Sequence, residues 1–294
     1  MMENGSSKDQ NSYYRVLSPG RVLADHGPVT MVIQAGLRGE PHTGAALAGA
    51  RLVPDLLKGL VEYLSYARQE VGNLDPGKDQ IYPEVLIRMA GAVRQLDESD
   101  FTPMAAVAGT FSDLVKEAVV AAGADRVVVN NGGDISLYLA GDDSPFRVGI
   151  ISDLEKGEVT HATYIRPDMG IGGIATSGLG GRSLTKGVAS AVTVLAKSSC
   201  LADAAATSVA NAANCLHPAV ERCPAQELDH LTDIPGHLVT RRLGDLPDSA
   251  VEEALAGGLE RARQLHRRGM ISGAVIFVRG RAVMWPENIV LPLT

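Results

Sequence analysis

Along the chain, apolar residues recur at helical spacing in some stretches and alternate or run together in others. From residue 56, Leu56, Leu57, Leu60, Val61 and Leu64 keep a helical period; Pro54 is placed to open that helix and the turn residues at 73–77 to close it. Residues 83–96 set Val85, Met89, Val93 and Leu96 on one side of a second helix. Thr102-Pro103, a hydroxyl cap followed by a first-turn proline, predicts the start of a third, striped by Met104, Val107, Phe111, Leu114, Val115 and Val119. A last helix is expected at about 249–268. Strands are expected at 13–17, 29–35, 126–130, 135–140, 146–151, 160–165 and 188–196, and 271–278 with 282–285 reads as a terminal hairpin. Residues 37–44 read as loop, residues 1–12 as polar and frayed, and the proline-rich chain beyond Asn214 as loosely structured. Helices mixed with antiparallel-type strands predict an α+β fold rather than a regular βαβ alternation.

Composition narrows the function. A 294-residue chain with a net charge of −7 and 4% aromatic residues lacks the basic surface and stacking side chains of a nucleic-acid binder. No apolar run reaches membrane-spanning length, and the opening residues lack the apolar segment of a signal peptide. Three cysteines, an odd number, argue against a disulfide framework and predict a cytoplasmic protein. No Gly-x-Ser-x-Gly, His-Glu-x-x-His or Cys-x-x-Cys pattern occurs, which disfavours serine-hydrolase and zinc chemistry.

The informative stretch is residues 170–187, where glycines alternate with Thr176, Ser177, Arg182, Ser183, Thr185 and Lys186. So many glycines argue against an ordinary central strand and for a loop whose N–H groups and cations cradle an anion. The other reading is a loop that only lets elements pack closely. Gly170-x-Gly172-x-x-Ala175 fits the dinucleotide fingerprint in form, but the residues after it are unfit to open the helix that motif needs. Downstream, Asp203 and Thr207 lie four residues apart and share a helical face; beside a phosphate loop they would suit magnesium. Asn131-Gly132-Gly133-Asp134, between two apolar strands, reads as a hairpin turn, or as a place where a ring or sugar approaches bare backbone with Asp134 accepting its hydrogen bonds.

Taken together, Asn131-Gly-Gly-Asp134, Ala175-Thr-Ser-Gly178, Ala191-Val-Thr-Val194 and Ala202-Asp-Ala-Ala-Ala-Thr207 resemble the ApbE superfamily, whose best-known members are FAD:protein FMN transferases. Ala105-Ala-Val-Ala-Gly109 and the ending Ala274-Val-Ile-Phe277 bring the chain nearer to the shorter, uncharacterised ApbE-like branch. The resemblance implies one ApbE-like domain over 13–294, possessing a cleft between intimate lobes. It also implies FAD or a related nucleotide with Mg2+ at its pyrophosphate, and a protein acceptor for FMN with AMP leaving. Asp203 and Thr207 would be the metal ligands; Asn131, Gly132, Gly133, Asp134, Gly172, Gly173, Thr176, Ser177, Gly178 and Lys186 would hold the cofactor. The transferases carry a His-x-x-Asp-Pro-x-Thr-Gly segment where this chain has Leu179-Gly-Gly-Arg-Ser-Leu-Thr-Lys-Gly187. That departure supports an alternative, an accessory protein that binds the flavin or nucleotide without transfer.

Overall fold

The computed structural model describes residues 13–140 and 144–293, so the N-terminal segment expected to fray lies outside the described residues. Strands β1 (Tyr14–Ser18), β2 (Arg21–His26), β3 (Val29–Leu37) and β4 (Glu40–Pro41) open the chain, followed by helices α1 (Thr43–Glu62), α2 (Leu64–Ala67), α3 (Glu84–Arg94) and α4 (Val107–Ala121). Then come β5 (Arg126–Asn131), β6 (Asp134–Leu139), β7 (Phe146–Ile151), β8 (Val159–Ile165), β9 (Gly173–Ser177) and β10 (Ala191–Ala196). Helix α5 (Ser199–Ala212), β11 (Val220–Pro224), β12 (Leu238–Leu243), α6 (Asp248–Arg267), β13 (Gly273–Val278), β14 (Arg281–Trp285) and β15 (Leu291–Pro292) complete it. The fold is α+β, as expected. A ten-stranded sheet runs in the order β1-β2-β3-β5-β6-β9-β10-β13-β14, with β4 paired to β3. Its pairings among the described residues are antiparallel.

Period-two alternation divides the core between the two faces of this sheet. Val192, Val194 and Ala196 of β10 and Ala274, Ile276 and Val278 of β13 face the helices. Their neighbours Ala191, Leu195, Val275 and Phe277 face a second cluster built with Val148, Ile150 and Ile165 of the small β15-β8-β7 sheet. Every residue of β10 and β13 is therefore buried, which explains their unbroken apolar runs.

Several sequence expectations need correction. Pro54 does not open α1; it lies inside it, and the helix begins eleven residues earlier at Thr43, capped by the His42 ring, which accepts from the Ala45 N–H at 3.4 Å. The hidden first turns bury Ala45, Ala46, Gly49 and Ala50, small residues that give little hydrophobic signal. The helix also ends at Glu62, well before the turn residues at 73–77. At Thr102-Pro103 a short 3-10 turn precedes α4, and the Thr102 hydroxyl donates to the Asp233 carboxylate instead of capping. β2 was absent from the sequence expectation, and the supposedly loose region after Asn214 contains the β11–β12 ladder. Most consequentially, Gly173–Ser177 is a central strand, paired to β6 on one side and β10 on the other.

Candidate functional site

Two helix N-termini meet beneath the middle of the sheet. A Cβ added to Gly109, in the first turn of α4, would stand 2.2 Å from the Ser199 carbonyl oxygen at the start of α5, so only glycine allows this approach. Each helix then caps the other. The Asp113 carboxylate of α4 accepts the backbone N–H groups of Ser199 (3.1 Å) and Cys200 (2.9 Å) at the start of α5. The Asp203 carboxylate of α5 accepts the N–H of Gly109 at 2.9 Å at the start of α4. Both contacts give an acceptor oxygen to the unsatisfied N–H groups at the start of a helix. The Ser136 hydroxyl of β6 donates to Asp113 at 2.5 Å and ties the pair to the sheet.

Asp134 faces the same junction. It follows a two-residue hairpin loop, Gly132-Gly133, whose φ angles of +68° and +116° suit glycine. The hairpin reading of Asn131-Gly-Gly-Asp134 therefore holds, and the turn also presents polar groups: the Asn131 amide donates to the Ala108 carbonyl at 3.3 Å. Burial pushes the Asp134 carboxyl up to about 7, against the opposing pull of the Thr176 backbone N–H and the Arg182 guanidinium. Asp203 is raised well above the ordinary carboxylate range, first by burial and then by the charge of Asp134. Asp134 Oδ1 is sealed from solvent and has no hydrogen-bond partner among the described residues. Two carboxylates are thus held together with one oxygen unsatisfied, an arrangement that a cation would relieve.

A cavity of about 240 Å³ opens alongside, with Arg182, Lys186, Thr207 and Asn211 on its polar wall together with Asp100, Asp229 and Asp233, and Phe101 and Met104 on its apolar one. Arg182 connects it to the hairpin, since its guanidinium lies 3.5 Å from where a Gly132 Cβ would be. The Lys186 ammonium pairs with Asp100 at 2.8 Å, and its backbone N–H donates to Asn211 at 2.9 Å. Among the described residues no cluster of three or more His, Cys, Asp or Glu side chains could hold a metal by itself. The acidic pair would have to be completed by hydroxyls and ligand oxygens, which is how magnesium is commonly held at phosphates.

The residues expected from sequence thus fall into separate groups. Asn131, Gly132, Gly133, Asp134 and Asp203 come together at the helix junction, while Lys186 and Thr207 line the cavity. Thr176 contributes its backbone N–H to Asp134; its hydroxyl shares a 2.8 Å hydrogen bond with Thr193 on β10. Ser177 ends β9, and Gly178, with φ +145°, packs against Ala189 and Ala191. Gly172 and Gly173 sit at the other end of β9, where the Lys197 carbonyl and Ser199 N–H occupy the space a side chain would need. Asp113 was missed, although an aspartate amid buried α4 residues, between Ser112 and Leu114, was a visible signal. Arg182 was noticed as a loop cation, but its approach to the hairpin depends on tertiary structure.

Comparison with known proteins supplies the family. UPF0280 proteins are similar to parts of the chain: that of Methanothrix thermoacetophila is 42% identical over 111 residues, covering 37% of this chain and 45% of that protein. That of Methanococcus vannielii is 34% identical over 167 residues, covering 54% and 63%. The chain thus spans about half the length of these curated relatives. Among solved structures, the ApbE protein of Thermotoga maritima aligns with a TM-score of 0.48 and 11% identity over 90% of this chain and 96% of its own. The apo flavinyl transferase ApbE of Pseudomonas stutzeri aligns with a TM-score of 0.48 and 15% identity, over 91% and 94%. The family model described as "AbpE bacteria" matches residues 14–284, from β1 to β14, and the chain belongs to that ApbE-like family.

Proposed function

We propose that this protein binds FAD or a related nucleotide together with Mg2+ at the Asp134–Asp203 junction and the adjoining cavity. The observation that carries the reading is the buried carboxylate pair with its unpartnered Asp134 Oδ1, next to a wall bearing Arg182 and Lys186. Asp203 and Thr207, one helical turn apart, are assigned to the metal, with Asp134 as a further oxygen donor. The ion would neutralise the pyrophosphate charge and make phosphorus more electrophilic. Arg182 and Lys186 orient the phosphates, Ser177 and the Asn131-Gly132-Gly133 turn contact the remaining polar groups, and Phe101 and Met104 offer a surface for a flat ring. Gly172 and Gly173 are left to packing.

Equilibrium binding of FAD with and without Mg2+ tests this. Saturable binding that requires Mg2+ and falls at least about tenfold in Thr207→Val supports it, a tenfold change being about 1.4 kcal/mol. Metal-independent binding, or none, overturns it. Transfer of FMN to a protein is the further step implied by the family, and stoichiometric AMP release with FMN attached to an acceptor would establish it. The replacement of the His-x-x-Asp-Pro segment by residues 179–187 favours a second reading, in which the protein retains ligand unchanged. Binding with neither AMP release nor covalent FMN selects that reading.

A further inference from the structure

A second concavity, of about 260 Å³, carries Lys116, Arg166 and Lys197 in its wall and no aspartate or glutamate. Its frame is built by separate segments. Gly172 lets the backbone of residue 197 approach, with Lys197 O 2.4 Å from where a Cβ would stand, and the Leu137 N–H donates to the Gly172 carbonyl at 2.8 Å. These contacts bring the loop after β8 and the residue after β10 against β6, while Lys116 extends from the second half of α4.

The cations have donors to spare. Among the described residues Lys116 is held by a 3.5 Å contact to Asp113, whose oxygens already accept from Ser136, Ser199 and Cys200. Arg166 forks onto Asp168 at 3.0 and 3.4 Å, but the Asp168 side chain is 70% exposed and can swing into water. Lys197 is exposed, and no described carboxylate pairs with it. A planar fork and two ammonium groups lining one concavity offer the charge and hydrogen-bond donors a phosphate takes. We infer that this concavity binds a small phosphate-bearing anion, at a site separate from the Asp134–Asp203 junction. Lys116 and Lys197 supply point charges, and Arg166 exchanges Asp168 for two phosphate oxygens. The site stands on these residues alone and does not depend on the proposed flavin binding.

Calorimetric titration with pyrophosphate in EDTA, which removes metal-dependent binding, is the test. It is run on the wild type and on Arg182→Gln/Lys186→Gln, in which the other cavity has lost its cations. One saturable site with a Kd below about 1 mM should remain in that double variant. Adding Arg166→Gln and Lys197→Gln should weaken it at least about tenfold each, and raising the salt concentration should weaken it in the parent. All four positions lie at partly or fully exposed surface, and circular dichroism checks that the variants fold. Absence of saturation in the wild type overturns the inference. So does binding that disappears with Arg182 and Lys186 but survives loss of Arg166 and Lys197.

Discussion

Asp134 and Asp203 are the residues on which pH should act. A carboxyl whose pKa lies near 3.8 when unfolded and at about 7 in the fold binds its proton more tightly in the folded state. Its contribution to the stability of the ligand-free protein is then fully present below that interval, declines as pH rises from about 4 to about 7, and levels off above. Thermal unfolding from pH 5 to pH 8 checks this, and a melting temperature that rises across that range would refute it. Asp134→Asn should flatten the profile and stabilise the ligand-free protein at pH 8, while weakening Mg2+-dependent FAD binding. Asp203 is a less clean probe than its sequence position implied. Because it caps α4 through the Gly109 N–H, Asp203→Ala should lose about 1–2 kcal/mol even without ligand, in addition to any loss of binding. Chemical denaturation and ligand titration of the same variant separate the two effects.

Between elements, the controlling feature is the crossing of α4 and α5. Gly109→Ala drives a methyl into the Ser199 carbonyl at 2.2 Å, a backbone atom that has no rotamer to change. The expected loss is about 3 kcal/mol or more, at the upper end of overpacking penalties, read as a fall in the denaturation midpoint. Asp113→Ala removes the acceptor for two α5 N–H groups and leaves the buried Ser136 hydroxyl only a long contact to the Gly172 carbonyl, so it should cost about 2–3 kcal/mol. On the proposed binding mode it should also reduce FAD affinity, because α5 carries Asp203 and Thr207. By contrast, Lys186→Ala breaks a surface pair with half-exposed Asp100 and should change stability by less than about 1 kcal/mol while weakening ligand binding.

Across the whole molecule, stability rests on a sheet whose central strands, β10 and β13 among them, are covered on both faces. Phe277 on β13 is 2% exposed and belongs to the cluster shared with β7 and β8, whereas its neighbour Ile276 faces the helices. Phe277→Ala should therefore cost about 3–5 kcal/mol although it lies on the face away from the site. Denaturation should show that loss, and FAD affinity measured on the folded fraction should stay near wild type. Equal loss of both would mean that the two faces are less independent than the layering implies.

Local chemistry alone made much of this legible. The α4 stripe, the valine-rich β5, the Asn-Gly hairpin and the terminal β13–β14 hairpin follow from periodicity and turn residues within a few positions of one another. The family motifs singled out Asp134 and Asp203, which the fold brings together at the helix junction, and Thr207, which lines the cavity. What tertiary structure decided was the role of groups whose partners are distant in sequence. Gly173–Ser177 reads as loop because its glycines lack β-forming side chains, yet β6 and β10 supply the hydrogen bonds and α5 needs the space. The start of α1 was hidden because its buried face is made of alanine and glycine, whose small apolar areas give a weak periodic signal. Asp113 meets the start of α5 some 86 residues away, and Asp203 meets Gly109 across 94, pairings that no local pattern encodes. The acidic, hydroxyl and cationic side chains were written into the chain; folding two helix starts against one hairpin brought Asp134 and Asp203 together.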